Sequence, residues 1–425
     1  MTATLAPPAT RTRAGMLALA CLVLFIDGYD LFALGTIGPS LLHDRSWGAA
    51  PSTLGTLGSV TALGMPIGSV LAGWTADRWG RRVPLAVSVA WISASMLVAA
   101  LAGNLTQLGA SRFLTGVGIG ALAPLVSALV SDGAPPKRRT LHLAVALGSI
   151  GVGGAASALL GRSLLPEHPF QTLFWIGVLP VVLVPFIWLT VPAGRPGVRR
   201  PEANRPEAGR PEAERLEAGR PEAERPARRP VAELFTPAAR RVTILLWLAT
   251  FMSMALVYST TAWLPTVMMR NGYNIGSSLE FMIAFSVGAS AGGLAVSLLA
   301  DRGHLKLVTL GTFALAALAL LTLSSNQPRP LLLVVSALAG LGSLGCQNMI
   351  IACMSAFHPP HLRGTGLGVG LGVGRLGAIV GPSYLSAATA LVSSPRTGFV
   401  AFMIPAVLGA AIVALLPRVL SDPGE

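Results

Sequence analysis

Twelve apolar stretches, each close to 20 residues long, recur along this chain between residues 15 and 417. They constrain the fold more than any other feature. About 20 apolar residues in helical form, at ~1.5 Å per residue, cover the ~30 Å of hydrocarbon in a bilayer. In hydrocarbon every backbone N–H and C=O must be bonded internally, which leaves helices as the way for such stretches to cross. The stretches predict an all-α polytopic membrane protein with twelve transmembrane helices. The spans fall at 15–39, 53–74, 83–102, 105–131, 140–161, 170–191, 242–267, 278–299, 306–325, 330–354, 364–388 and 397–417. Composition agrees, since 12% of residues are charged against about 25% in a soluble domain. Arg11 and Arg13 precede the first stretch as they would in a signal peptide. That stretch lacks a small-residue cleavage site and carries Asp27 and Asp30, so it reads as a retained helix.

The net charge of +13 invites a nucleic-acid partner, but its distribution gives another cause. With the N-terminus placed in the cytoplasm, 24 of the 31 Lys and Arg fall on cytoplasmic segments and 5 on outer ones. That asymmetry is the positive-inside rule. It predicts a multi-pass protein of the cytoplasmic membrane with both termini cytoplasmic, in contact with the lipid bilayer and not with nucleic acid. The remaining 2, Arg112 and Arg375, lie within spans. Cys21, Cys346 and Cys353 all sit in apolar runs at spacings that suit neither a disulfide framework nor a metal site. The chain contains no His-Glu-x-x-His, no Gly-x-Ser-x-Gly and no phosphate loop, and its six histidines do not cluster, so an enzyme is not expected.

Two six-span bundles are expected, 15–191 and 241–417, between tails at 1–14 and 418–425. Residues 192–240 between them repeat an Arg-Pro-Glu-Ala unit, as in "RPEANRPEAGRPEAERLEAGRPEAERPARRP". Proline so frequent prevents a continuous helix and few apolar side chains are present, which predicts an extended, disordered tether. The bundles echo each other at an offset of 224, with Gly64 on Gly288 and Asp77–Arg78 on Asp301–Arg302. Parallel repeats with a binding site between them at mid-membrane are a recurring transporter plan.

Charges inside the spans are few: Asp27, Asp30, Arg112 and Arg375. Each costs roughly 2.5–3.5 kcal/mol at a helix centre, and such residues normally face the bundle interior on a substrate or proton path. Asp27 and Asp30 share one face of span 1, and Arg112 and Arg375 lie at similar depth on spans 4 and 11. In one arrangement these are buried pairs holding helices together. In the other, one carboxylate carries a coupling proton while an arginine binds an anionic substrate. The run "GVGRLG" at 372–377 satisfies a dinucleotide fingerprint, yet it lies inside an apolar span with no βαβ unit, so its glycines serve close helix packing. Gly116 and Gly120 on span 4 have the same small-xxx-small spacing.

The loop "GWTADRWGRR" between spans 2 and 3 resembles the signature loop of the major facilitator superfamily at Gly73, Asp77, Arg78, Gly80, Arg81 and Arg82. Gly73 would let helices approach, and Asp77 would cap the next helix or pair with the neighbouring loop, latching the cytoplasmic gate. A degraded copy holds Asp301 and Arg302, with a weaker latch expected. A narrower resemblance lies in "DGYDLFALGTIGPSL", "SRFLTGVGIGALAP", "YSTTAWLPTVM" and "HLRGTGLGVGLGVGRLGAIVGP". These are similar to spans 1, 4, 7 and 11 of the aromatic acid:proton symporter family of that superfamily.

The resemblance implies proton-driven uptake of an aromatic carboxylate such as benzoate or a hydroxybenzoate by a carrier functional as a monomer, with no cofactor beyond the proton gradient. It places importance on Asp27 and Asp30 for proton coupling and on Arg112 and Arg375 for the substrate carboxylate. Tyr29, Tyr258, Trp263 and Tyr384, with Gln347 and Asn348, are candidates for the ring-binding wall. Trp263-Leu264-Pro265 is expected to break or bend its helix near the cavity. The alternatives are a muconate-like non-aromatic acid and a drug:proton antiporter, although the Gly-Pro motif of the latter group is missing from span 5.

Overall fold

The computed structural model describes residues 10–133, 139–192, 233–237, 239–300, 304–358, 362–392 and 394–417. Most of the tether, the loop residues Lys137 and Arg138, both ends of the chain, and Asp301 and Arg302 lie outside them. The first half comprises α1 (Thr10–His43), α2 (Pro51–Trp79), α3 (Arg82–Ala100), α4 (Leu105–Gly133), α5 (Arg139–Leu164), α6 (Gln171–Ile176) and α7 (Leu183–Thr190). The second comprises α8 (Arg240–Arg270), α9 (Ile275–Ala300), α10 (Leu305–Leu323), α11 (Arg329–Phe357), α12 (Arg363–Leu391) and α13 (Thr397–Ala414). There are no strands among the described residues.

Eleven of the expected spans are long and apolar enough to cross a membrane among the described residues. The exception, α12, has the length but carries eight glycines and Arg375, which lower its hydropathy. The sixth span is two helices, α6 and α7, joined through a 3-10 turn at Leu179–Val182 that contains Pro180. Large apolar side chains such as Val70, Leu101 and Leu318 are exposed on the outside of the bundle, as lipid-facing positions require.

Glycine sets the helix spacing inside each half. A Cβ on Gly68 would fall 1.8 Å from the Val117 carbonyl oxygen, and one on Gly116 would fall 1.9 Å from that of Thr61. The backbones of α2 and α4 therefore touch directly, as the spacing of Gly116 and Gly120 predicts. The second half repeats the seam between α9 and α11. There a Cβ on Gly288 would fall 1.8 Å from the Ala337 oxygen, and one on Gly340 would fall 1.9 Å from that of Phe285. Gly64, Gly68 and Gly116 map onto Gly288, Gly292 and Gly340 at the offset of 224, so the weak internal echo is a repeated packing device. Along α12, Gly370, Gly374, Gly377 and Gly381 let α8 approach in the same way, whereas Gly368 and Gly372 face open space.

The halves meet through α1 and α8, α2 and α12, and α5 and α9. Among the described residues, their contacts include close ones at mid-depth and on the side away from the tether. Ser59 Oγ donates to the Ile379 carbonyl and shares a hydrogen bond of 2.7 Å with Ser383. Arg162 reaches Glu280 at 2.8 Å, and Arg329 joins the same carboxylate. Pro265 does not break α8, which runs unbroken to Arg270. Its missing N–H leaves the Thr261 carbonyl without a helical partner. That oxygen packs on Gly35 of α1, where a Cβ would come within 2.0 Å, and Thr261 also lines the small central cavity, so the freed carbonyl lies at the seam between halves beside a cavity.

Candidate functional site

At mid-depth the four intramembrane charges divide into two unlike sets. Asp30 and Arg112 form a closed pair. Arg112 donates from Nη1 to Oδ1 at 2.5 Å and from Nη2 to Oδ2 at 2.9 Å, the fork-to-fork geometry of a strong charge-assisted contact. Both side chains are buried, and the Arg112 Nε–H is buried with no hydrogen-bond partner.

Asp27 and Arg375 form an open set. Asp27, three residues before Asp30, lies within electrostatic reach of Arg375 but makes no hydrogen bond or ion pair among the described residues. Arg375 Nη1 donates to Met65 Sδ at 3.0 Å and to the Tyr258 hydroxyl at 3.3 Å. Tyr258 in turn donates to the same sulfur at 3.3 Å. The Tyr258 hydroxyl and Arg375 come from the second half and Met65 from the first, so this cluster bridges the halves. A cavity of about 20 Å³, room for roughly one water, lies beside the Asp30–Arg112 pair and the Met65–Tyr258 contact. Asp30, Thr61, Met65, Arg112, Tyr258 and Pro382 all line it.

The other expected wall residues are placed elsewhere. Trp263 is fully buried and donates to the Pro382 carbonyl at 3.2 Å, joining α8 to α12 behind the cavity lining without facing the cavity itself. Tyr29 is buried and ties α1 to α6 through the Leu173 carbonyl at 2.8 Å. Tyr384, Gln347 and Asn348 are half-buried and do not line the cavity. Of the six, only Tyr258 lines the cavity, although Tyr29 lies within electrostatic reach of Asp30. Met65 has no charge and no motif to mark it. Its one signal is its place beside Gly64, on the helix that glycine presses against α4.

The signature loop works within its own half. Gly80 has a φ of +73°, which favours glycine and turns the chain from α2 into α3. Arg81 Nη1 donates to the Ala128 carbonyl of α4 at 2.6 Å, and the Arg82 guanidinium lies 4.3 Å over the Trp188 ring of α7. Asp77 is exposed and does not cap α3, and a Cβ on Gly73 would meet nothing within 4 Å, so neither the cap nor the close helix approach is present here. The other expected role of Asp77, pairing with the neighbouring loop, falls on residues 134–138, which lie outside the described residues. Asp301 and Arg302, and with them the expected weaker latch of the second copy, lie outside the described residues. Lys306, which maps onto Arg82, donates to the Ala414 and Leu416 carbonyls and caps the end of α13. In both halves the loop's last cation holds the half's last span.

A bundle of two glycine-seamed halves around a midplane charge cluster defines a membrane transporter. The Major Facilitator Superfamily matches residues 20–382, and the chain belongs to it. It is 32% identical to the benzoate transport protein of Acinetobacter baylyi, over 94% of this chain and 89% of that one. It is 32% identical to the gentisate transporter of Corynebacterium glutamicum, over 93% and 85%. The 4-hydroxybenzoate transporter of Pseudomonas aeruginosa is 30% identical, over 93% and 91%. Among solved structures, a bacterial homolog of the human lysosomal transporter Spinster, in its inward-facing and unoccupied conformation, superposes with a TM-score of 0.74 at 18% identity. It covers 96% of this chain and 97% of that one. A D-xylose–proton symporter gives 0.74 at 17% identity, over 96% and 98%. At these identities the structures speak for the fold alone.

Proposed function

We propose that this transporter carries aromatic carboxylates in symport with protons, exposing its midplane set alternately to the two sides of the membrane. One observation carries the reading. The Arg375 guanidinium sits at mid-depth, bonded to a neutral thioether and a phenol, beside a carboxylate that it does not bond. A cation so weakly partnered in a membrane keeps much of its desolvation cost, and a carboxylate ligand recovers it through charge-assisted hydrogen bonds. The names of the relatives supply the class of that carboxylate, and Tyr258 is the aromatic surface beside it.

Asp27 then carries the coupling proton. Ionised, it competes with the substrate for Arg375. Protonated, it leaves the guanidinium to the substrate, so anion and proton travel together. Asp30 is committed to Arg112 and holds the first half's share of the site. With the tether side cytoplasmic, as the charge asymmetry implies, the Arg162–Glu280 and Ser59–Ser383 contacts hold the outer face closed.

Proteoliposomes containing the protein, loaded against a proton gradient, test this with labelled benzoate and 4-hydroxybenzoate. Uptake that collapses with a protonophore is expected. Uptake indifferent to the gradient overturns the coupling, and uptake of muconate in preference to either ring acid overturns the substrate class.

A further inference from the structure

Two donors from two helices converge on one atom at the centre of the bundle, and that atom is the sulfur of a residue from the opposite half. We propose that Met65 is a built-in stand-in for a substrate carboxylate oxygen. Its Sδ holds the point at which Arg375 and Tyr258 are aimed, and substrate binds by displacing it. The inference rests on Arg375 as the anion site of the function proposed above.

Four observations support it. The geometry is that of a ligand site, because Arg375 Nη1 at 3.0 Å and the Tyr258 hydroxyl at 3.3 Å share a single acceptor. The acceptor is a poor one, since a thioether is neutral and accepts weakly, so a carboxylate oxygen brought to that point binds the same donors better. Met65 is buried, but its side chain has rotamers to change where its backbone has no room to shift. A Cβ on Gly120 would fall 2.0 Å from the Met65 carbonyl oxygen, which pins the backbone against α4, whereas methionine has three rotatable bonds. Finally, the cavity beside it offers about 20 Å³, so a ring enters only after a lining side chain swings away. Met65 is thus a specificity-determining residue, setting how much affinity the donors have left for substrate and how large a ring the site admits.

The test uses replacements whose effects have opposite signs. Met65→Ala removes both the competing acceptor and its bulk. Met65→Gln keeps the length and offers a stronger acceptor. Benzoate binding to the purified full-length protein, measured by calorimetry, is expected to tighten by about three- to tenfold for Met65→Ala. It is expected to weaken by a similar factor for Met65→Gln, the worth of one weak hydrogen bond to a charged group. Met65→Ala should also bind 1-naphthoate, and the wild type is expected to reject it. Melting temperatures without benzoate identify any loss of folding. A purely structural residue gives weaker binding in both variants, and that result, or no change in either, overturns the inference while wild-type binding stands. A wild-type protein blind to benzoate, gentisate and 4-hydroxybenzoate overturns the aromatic-acid reading instead.

Discussion

Arg112 and Arg375 sit at similar depth in the two halves and meet opposite treatment. Arg112 is closed into a bidentate pair with Asp30 and is sealed from solvent. Arg375 is half-buried, bonded to a thioether and a phenol, with Asp27 in reach but unbonded. The repeat does not explain the difference. At the offset of 224, Arg112 falls on Ser336 and Asp30 on Met254, while Arg375 falls on Gly151 of the first half. The glycine seams are duplicated and the charges are not. A symmetric scaffold therefore presents an asymmetric centre, one side structural and the other left open for a ligand.

The largest expected effect breaks the closed side. Arg112→Ala leaves the Asp30 carboxylate buried without its partner, a cost of about 3–5 kcal/mol. We expect lost folded yield in detergent gel filtration, with much of it recovered when Asp30→Asn and Arg112→Gln are combined. A protein that tolerates Arg112→Ala with wild-type melting erases the distinction between the sets.

Breaking the open side should damage binding and spare the fold. Arg375→Ala is expected to melt near the wild type and to weaken benzoate binding by roughly 10- to 100-fold, the range for hydrogen bonds to a charged group. Asp27→Asn sharpens the contrast further, because it mimics the protonated acid. It should keep benzoate binding and exchange across the membrane within about threefold, since the hydrogen bonds to substrate are untouched. It should lose gradient-driven accumulation, read as steady-state labelled benzoate in proteoliposomes. Normal accumulation by this variant removes Asp27 as the proton carrier.

The smallest effect concerns the face away from the tether. Arg162 and Glu280 form an ion pair across the two halves there, partly exposed to solvent. Arg162→Ala should favour opening of that face by about two- to fivefold, because exposed pairs are worth little. Labelling of a Ser59→Cys reporter by an impermeant thiol reagent reads the shift. An unchanged rate would mean that the helix seams hold that face without the ion pair.

The helical class, the span positions and the two-half plan were legible because hydrocarbon permits few solutions. A stretch of apolar residues long enough to cross must be helical, and a charge within it stands out against its neighbours. Gly116 and Gly120 were legible for a related reason, since small residues four apart mark the faces along which helices touch. The sixth span's division was less visible, because Gly177 and Pro180 lie in an otherwise unbroken apolar run.

The wall residues show where pattern stops. Tyr29, Tyr258, Trp263 and Tyr384 are alike as sequence, each an aromatic residue in a span. Which of them faces the centre depends on helix rotation, and rotation is decided by packing against other helices. The glycine seams set it here, turning Tyr258 inward and Trp263 onto Pro382. Met65 was invisible for the same reason, having nothing in its type or spacing to announce it.

By itself, the sequence determined that this chain crosses a membrane many times, in two related halves, with four ionisable groups too costly to lie there by accident. Local hydropathy and the price of a charge in lipid are properties of single residues, and a linear reading captures them. The tertiary structure alone decided which acid meets which arginine. Asp27 and Asp30 are three residues apart and chemically identical, yet α4 brings a cation onto one and α12 stops short of bonding the other. That outcome depends on ångström-scale placement of helices more than 80 residues apart in the chain, set by glycine contacts that no single segment contains.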